Sequence, residues 1–289
     1  MANKSVIQKV ADAILELMDN GVSPWQKDWI NDPSATPWGI PANISSGNAY
    51  RGVNVPMLWH AKHTNGFDTD LWVTYKQAQD MGGHVTQGEK STAFVCKFKK
   101  ITVKDRADRD KTVNIPMWKT FAVFNVEQTT GIDYTRPEKK PVPESQVLSF
   151  ASSTGASIEH VGNRACYIPS ADKIQLPHPE QFRSQAGYNG TLLHELVHWT
   201  GDKTRCDRQF GKRFGDQAYA FEELVAESGS AFVCATLGLP YLIENHASYL
   251  THWRDIITRT PQAIMTAFSQ AQKATDYIID AAEVKQEAA

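Results

Sequence analysis

The chain has few cysteines and no long apolar run. Cys96, Cys166, Cys206 and Cys234 stand far apart with no C-x-x-C pair. That spacing argues against a cysteine-built zinc site and a disulfide scaffold, and it fits reduced thiols in a cytoplasmic protein. No stretch of eighteen apolar residues occurs, so neither a transmembrane helix nor a membrane partner is expected. The first residues lack the basic-then-apolar order of a signal peptide. Instead Val6, Val10, Ala13, Ile14 and Leu17 mark one side of an amphipathic helix over Val6 to Met18. Internal repeats and low-complexity tracts are also missing, and the formal net charge is only −2.

The small net charge hides an asymmetry. Residues 1–140 hold 18 basic against 15 acidic residues, whereas 141–289 hold 12 against 17. Six of the eight tryptophans (Trp25, Trp29, Trp38, Trp59, Trp72 and Trp118) precede residue 120. Between the halves, Arg136 to Pro143 is charged and proline-rich, the composition of a linker.

In the first half, a loop rich in Trp, Pro, Asn and Ser runs from Pro24 to about Arg51, and a short helix follows around Pro56 to His63. Thr74 reads as the N-cap of a helix over Tyr75 to Met81, stopped by Gly82-Gly83. Two strand-like runs, Ala93 to Val103 and Thr112 to Val126, flank the charged segment 104–111 and predict a hairpin. Residues 85–125 carry nine basic against four acidic residues, with Lys97, Lys99, Lys100, Lys104, Arg106 and Lys119 interleaved among Phe94, Phe98, Trp118, Phe121 and Phe124. Cations beside aromatic rings suit a single-stranded nucleic acid, whose phosphates and bases they meet. The same alternation also fits a half-buried hairpin with its rings inside and its lysines in water.

The second half carries the most specific signal, His194-Glu195-Leu196-Val197-His198. Residues four apart on a helix share a face, so both imidazoles can point at one ion with Glu195 beside them. This is the H-E-x-x-H pattern of zinc peptidases. Leu192, Leu193, Leu196, Val197 and Trp199 make the helix apolar; Asn189 or Thr191 suits its N-cap and Gly201 its stop. A helix over Ser145 to Ser153 and short strands over Ala165 to Pro169 and Lys173 to Pro177 precede it. A helix from Tyr219 to Gly238 and three more, over 241–246, 247–259 and 261–279, follow, and 283–289 read as frayed.

A catalytic zinc needs a third protein ligand and an open position. Glu222, Glu223 and Glu227 lie on the apolar helix that follows, where unpaired carboxylates are costly. Glu223 and Glu227 share a face and Glu222 is turned about 100° away. The E-x-x-x-E spacing resembles the gluzincin arrangement, and that resemblance implies Glu223 as the ligand and Glu227 as the acceptor that fixes the His194 tautomer. Glu227 or Glu222 as ligand stays open, and Glu222 best fits a solvent-facing pair with a neighbouring Arg or Lys. Glu195 would be the general base for peptide hydrolysis. An oxyanion helper is not identifiable; Tyr188, Tyr219 and His178 are open, each equally readable as a packing residue. Zinc is the default ion, and manganese or another divalent ion also suits two His and one Glu.

The run Thr191 to Thr200, then Phe214-Gly215, then Tyr219 to Glu227 resembles the C-terminal zincin-like domain of ArdC-type antirestriction proteins. Trp25 to Trp29, Pro41-Ala42-Asn43, Tyr50 to Asn54, Trp72 to Ala78 and Gly82 to Lys90 resemble that family's single-stranded DNA-binding domain. The resemblance implies an α+β chain with three parts. Residues 1–135 would be an N-terminal α/β DNA-binding domain with a β-hairpin, and 136–144 a linker. Residues 145–289 would be a mainly helical, gluzincin-type domain with a small β-sheet. It also implies a plasmid protein that shields incoming conjugative DNA from restriction, with single-stranded DNA as partner and a protein in the recipient cell as a possible substrate. Trp25, Trp29, Tyr50, Arg51, Trp72, Lys76 and Lys90 sit in the matching motifs as DNA-contact candidates, beside Lys97, Lys99 and Lys100 of the hairpin; Asn54 and Gln77 are weaker ones. A DNA-coating protein whose metal site is structural or idle is the competing reading.

Overall fold

The computed structural model describes residues 5–19, 39–91, 93–104, 112–134, 141–208, 217–240 and 247–287. They form two compact units, one drawn from residues 1–14 with 41–136 and the other from residues 15–40 with 137–289. Trp25, Trp29, most of the early loop, the hairpin tip, much of the linker, Phe214-Gly215 and the helix expected at 241–246 lie outside the described residues.

Helix α1 (Val6–Asp19) opens the chain and buries Val10, Ala11, Ile14 and Met18 as a stripe at helical spacing. The first unit is a mixed sheet of β1 (Ala42–Asn43), β2 (Leu71–Val73), β5 (Thr112–Asn125) and β4 (Ala93–Lys104), in that spatial order. β1 pairs parallel with β2, and the other pairs are antiparallel. Successive strand residues face opposite sides, so Trp72 and Val73 enter different cores. Trp72 packs with Val95, Val123 and, from helix α2 (Asn54–Asn65), Leu58 and Ala61. Val73 packs with Phe124 and, from helix α3 (Tyr75–Asp80), Ala78. A second ribbon pairs β3 (His84–Val85) with β6 (Thr129–Thr130).

Thr74 caps α3 as its sequence predicts: its Oγ1 accepts the Gln77 N–H at 3.3 Å and Gln77 Oε1 accepts the Thr74 N–H at 3.0 Å. β4 is an edge strand, and Asn54 covers part of it. Its Oδ1 accepts the Cys96 N–H at 2.6 Å and its Nδ2 donates to the Cys96 carbonyl at 2.9 Å, so one amide stands in for a neighbouring strand.

The second unit holds α4 (Val147–Ser153), a three-stranded sheet, and helices α5 (Gln185–Trp199), α6 (Gln217–Leu237), α7 (Ala247–Arg259) and α8 (Gln262–Glu287). The sheet runs β7 (Ser157–His160), β9 (Lys173–Leu176), β8 (Cys166–Ile168), with β7 parallel and β8 antiparallel to β9. β7 has no counterpart in the sequence reading. α5 packs along α6 and against β8 and β9, and α6 is also flanked by α7 and α8.

Two helix ends differ from expectation. α5 starts well before Asn189 and Thr191, because Ser184 caps it by accepting the Gly187 N–H at 3.0 Å. Asn189 is buried inside the helix and donates to the Glu144 carbonyl at 3.1 Å, while Thr191 Oγ1 donates back to the Gly187 carbonyl. The C-terminal residues expected to fray continue α8 to Glu287, with Ile278 and Ala282 buried.

Candidate metal centre

His194 and His198 lie one turn apart on α5, with ring centroids 4.8 Å apart and Nε2 atoms 3.1 Å apart. α6 sets Glu223 against both: one carboxylate oxygen is 3.5 Å from His194 Nε2 and the other 3.6 Å from His198 Nε2. Donors at the usual distances from a tetrahedral zinc are about 3.3–3.5 Å apart along each edge. Each imidazole faces a different oxygen of Glu223, and one ligand atom from each residue lies within 4.8 Å of the others, so small side-chain adjustments would let the set close on a divalent cation. Among the described residues, this trio is the group of His, Cys, Asp and Glu side chains able to hold one.

The electrostatics point the same way. Burial alone would pull the imidazolium of His198 down, but its bonds to Glu222 and Glu223 outweigh burial and push it up to about 10. Burial likewise opposes the charged form of His194, and Glu223 and Glu227 overcome it to raise that group. Burial would raise Glu223, yet the two imidazoles hold its carboxyl far below the usual range. Four buried carboxylates, Glu195, Glu222, Glu223 and Glu227, surround the pair.

Glu227 stands 3.7 Å from His194 Nδ1, outside hydrogen-bond reach, and that buried nitrogen has no hydrogen-bond partner. The expected tautomer-fixing bond is therefore not formed as drawn. Glu222 is not the solvent-facing acid that the sequence reading favoured. It is 3% exposed, sits 3.3 Å from His198 Nδ1, and accepts three bonds from the buried Arg208 guanidinium, at 3.2, 3.1 and 2.8 Å. The turn of α6 that aims Glu223 at Nε2 carries Glu222 round to the other ring nitrogen.

Glu195 is buried beside the pair, and its Oε2 accepts the backbone N–H of Tyr167 in β8 at 2.8 Å. The Tyr167 hydroxyl donates to Asp172 at 2.9 Å, and Asp172 pairs with Arg205. Arg205 in turn donates to the Trp199 carbonyl at 2.6 Å and stacks its guanidinium 4.2 Å above the Trp199 ring. This chain of interactions holds edge strand β8 against the C-terminal end of α5. Arg205, Arg208 and Tyr167 were missed by sequence reasoning, since no local pattern announces a partner that folds back from elsewhere. Tyr188 bonds His160 and packs on Phe182, and His178 stacks near His160. Tyr219 is half-buried on the first turn of α6.

In the first unit, the expected DNA contacts separate. Trp72 is fully buried at the centre of the core, so it cannot stack on a base and is corrected to a packing residue. Asn54 is committed to β4. Tyr50 is half-buried and accepts from Asn43 at 3.1 Å, and Gln77 bonds Asn43 and caps α3. Arg51, Lys76 and Lys90 are exposed. Lys99 and Lys100 belong to β4, but their side chains lie outside the described set. Lys97 is exposed and directly opposite Lys119 in register. On the other face of the ribbon, Phe98 is 50% exposed and packs edge-on to its cross-strand partner Trp118, with centroids 5.3 Å apart.

Together, the fold and site define a two-unit protein with a zincin-like second half. Residues 145–270 match a family described as zincin-like metallopeptidase, and 4–124 match the N-terminal domain of anti-restriction factor ArdC. The structure also matches the metal-free crystal structure of antirestriction ArdC protein from the R388 plasmid, with TM-score 0.84 and 36% identity over 97% of this chain and 99% of that one. The Mn(II)-bound structure of the R388 protein matches with TM-score 0.81 at 35% identity, over 96% and 98%. An uncharacterized protein, y4eC, of Sinorhizobium fredii is 37% identical over 94% of this chain and 91% of its own length. A DNA primase TraC of Escherichia coli is 35% identical over 93% of this chain, which spans 19% of that primase. The chain belongs to the ArdC antirestriction family.

Proposed function

We propose that this chain is a plasmid antirestriction protein that binds single-stranded DNA through residues 1–135 and carries a metal-dependent peptidase site in 145–289, with 136–144 as linker. The convergence of His194 Nε2, His198 Nε2 and the Glu223 carboxylate within reach of one ion carries the reading. These three residues would hold the ion, zinc by default and manganese as the alternative. A bound divalent cation supplies Lewis-acid polarisation of a carbonyl and makes water a better acid. Glu195 lies next in sequence to His194, where its carboxylate takes the proton from water and hands it to the leaving amine. The Tyr167 N–H fixes one of its oxygens and leaves the other for that exchange. A protein of the recipient cell would be the substrate.

The DNA side is supported by the ribbon of β4 and β5. Like charges directly opposite on a ribbon are unfavourable unless a polyanion draws them together, and Lys97 faces Lys119. The exposed Phe98–Trp118 pair offers rings for unpaired bases.

A second reading, DNA coating with an idle metal site, draws on the Tyr167 bond, which gives Glu195 a structural duty that needs no catalysis. Metal analysis of the purified protein beside its Glu223→Ala variant tests the site: the parent should hold close to one divalent ion per chain and the variant far less. Glu195→Gln then separates the readings. It should keep the metal and lose protection of incoming DNA; full protection by that variant would leave only the coating role.

A further inference from the structure

We propose that Arg208 and Glu222 act as positioning residues for His198, holding its ring so that Nε2 presents its lone pair to the cation. The inference rests on the metal-site reading above. His198 Nδ1 lies 3.3 Å from Glu222 Oε1, and a carboxylate can only accept, so Nδ1 carries a proton toward Glu222; Nε2, facing His194 and Glu223, is the nitrogen that would give up its proton and offer its lone pair to an entering cation. Arg208 fixes that carboxylate. Its Nε and Nη2 donate to Glu222, while Nη2 also donates to the Val197 carbonyl at 2.6 Å and Nη1 to Thr200 Oγ1 at 2.8 Å. One guanidinium therefore ties α6 to the last turn of α5, the turn that carries His198.

Both charges are buried, Glu222 3% and Arg208 8% exposed. A buried ion pair is weak evidence for stability, because well-packed neutral residues often serve as well. Placement behind one ligand nitrogen gives this pair a different use. The contrast with His194 supports it: there Glu227 stands 3.7 Å from Nδ1 and the nitrogen is unpartnered.

The test measures manganese(II) and zinc(II) affinity by competition titration on the full chain, alongside thermal unfolding in chelator. Glu222→Gln should weaken both affinities by about 10- to 100-fold, the usual effect of removing a carboxylate behind a metal-bound histidine. The double variant Arg208→Met/Glu222→Gln removes both charges. It should melt closer to the parent than Arg208→Met alone does, yet bind metal as poorly as Glu222→Gln. A merely structural pair would recover both properties together. If the Glu222→Gln and double variants bind metal within about twofold of the parent, while His198→Ala and Glu223→Ala abolish binding, the positioning role is wrong and the metal site stands. If His198→Ala and Glu223→Ala bind like the parent, the site reading itself fails and takes this inference with it.

Discussion

Glu195 makes one structural bond and has one proposed catalytic role, and a pair of substitutions can pull the two apart. Its Oε2 accepts the Tyr167 N–H at 2.8 Å, and the residue is 7% exposed. Glutamine and methionine both remove the charge and both keep the approximate length of the side chain. Glutamine retains a carbonyl oxygen for the Tyr167 N–H, whereas methionine leaves that buried donor without its partner. An orphaned buried donor costs about 1–3 kcal/mol, so the methionine variant should be less stable than the glutamine variant by that amount. For a unit of roughly 150 residues, each kcal/mol moves the melting temperature by about 2–4 °C, which gives a gap of about 2–12 °C. Thermal unfolding followed by circular dichroism, in chelator so that bound metal adds nothing, reads the difference directly. Coincident melts, within about 1 °C, would show that the bond to β8 carries no stability and would refute the reasoning. Alanine is a poorer probe of catalysis, since it empties the acceptor and the space together.

The remaining predictions concern the ribbon and the metal centre. Replacing Phe98 and Trp118 together by alanine should weaken single-stranded DNA binding by about 1–3 kcal/mol for each base they stack, with little change in melting, as measured by fluorescence anisotropy. Lys97→Gln with Lys119→Gln should flatten the salt dependence of that binding by about 0.7 in log–log slope for each phosphate left without its cation. Asn54→Ala strips both partners from the Cys96 backbone. It should cost about 1–3 kcal/mol and speed hydrogen exchange at the Cys96 amide. Because carboxylates hold His198 up to about 10 and raise His194, an entering cation must displace protons at neutral pH. Raising pH empties the competing protonated form, so manganese affinity should climb from about pH 6 to about pH 8 by up to about tenfold per unit for each proton released. Calorimetry in buffers of different ionisation enthalpy counts those protons, and a flat profile would contradict the carboxylate–imidazole coupling.

Local periodicity carried part of this molecule and failed in a regular way elsewhere. The i, i+4 spacing put His194 and His198 on one face, Thr74 announced its own cap, and the paired runs around 104–111 formed the β4–β5 hairpin. The first two are set by residues within four positions of each other, and the hairpin by two runs that follow one another in sequence. Trp72 is a DNA-contact candidate by sequence because it sits in a motif that resembles the family's DNA-binding domain, but β2 is an interior strand and Trp72 is fully buried. Tyr188-Asn189-Gly190 reads as a break, yet tertiary packing supplies the Asn189 amide with partners and the helix runs through it. Glu222 is expected from the sequence to pair with an Arg or Lys, and it does, but buried rather than in solvent. A helical wheel separates it from Glu223 correctly, but nothing on α6 reveals that Arg208, fourteen positions earlier, returns to meet it.

The charge around the imidazoles explains why such a cluster tolerates burial. Four carboxylates lie below 10% exposure within a few turns of α5 and α6, and among the described residues Arg208 is the buried arginine or lysine available to them. Subtracting that one cation leaves three negative charges in a medium that penalises each of them. Protons on His194 and His198 offset two, which is what the raised pKa values express; a divalent ion offsets the same two while freeing both imidazoles to act as ligands. The exchange is thus nearly neutral in charge and gains metal–ligand bonds. Close approach of the helices makes it possible: a Cβ at Gly229 of α6 would lie 3.0 Å from both γ-carbons of Val197 on α5. A residue with bulk at that crossing would press on Val197, one position before His198, and force α5 and α6 apart.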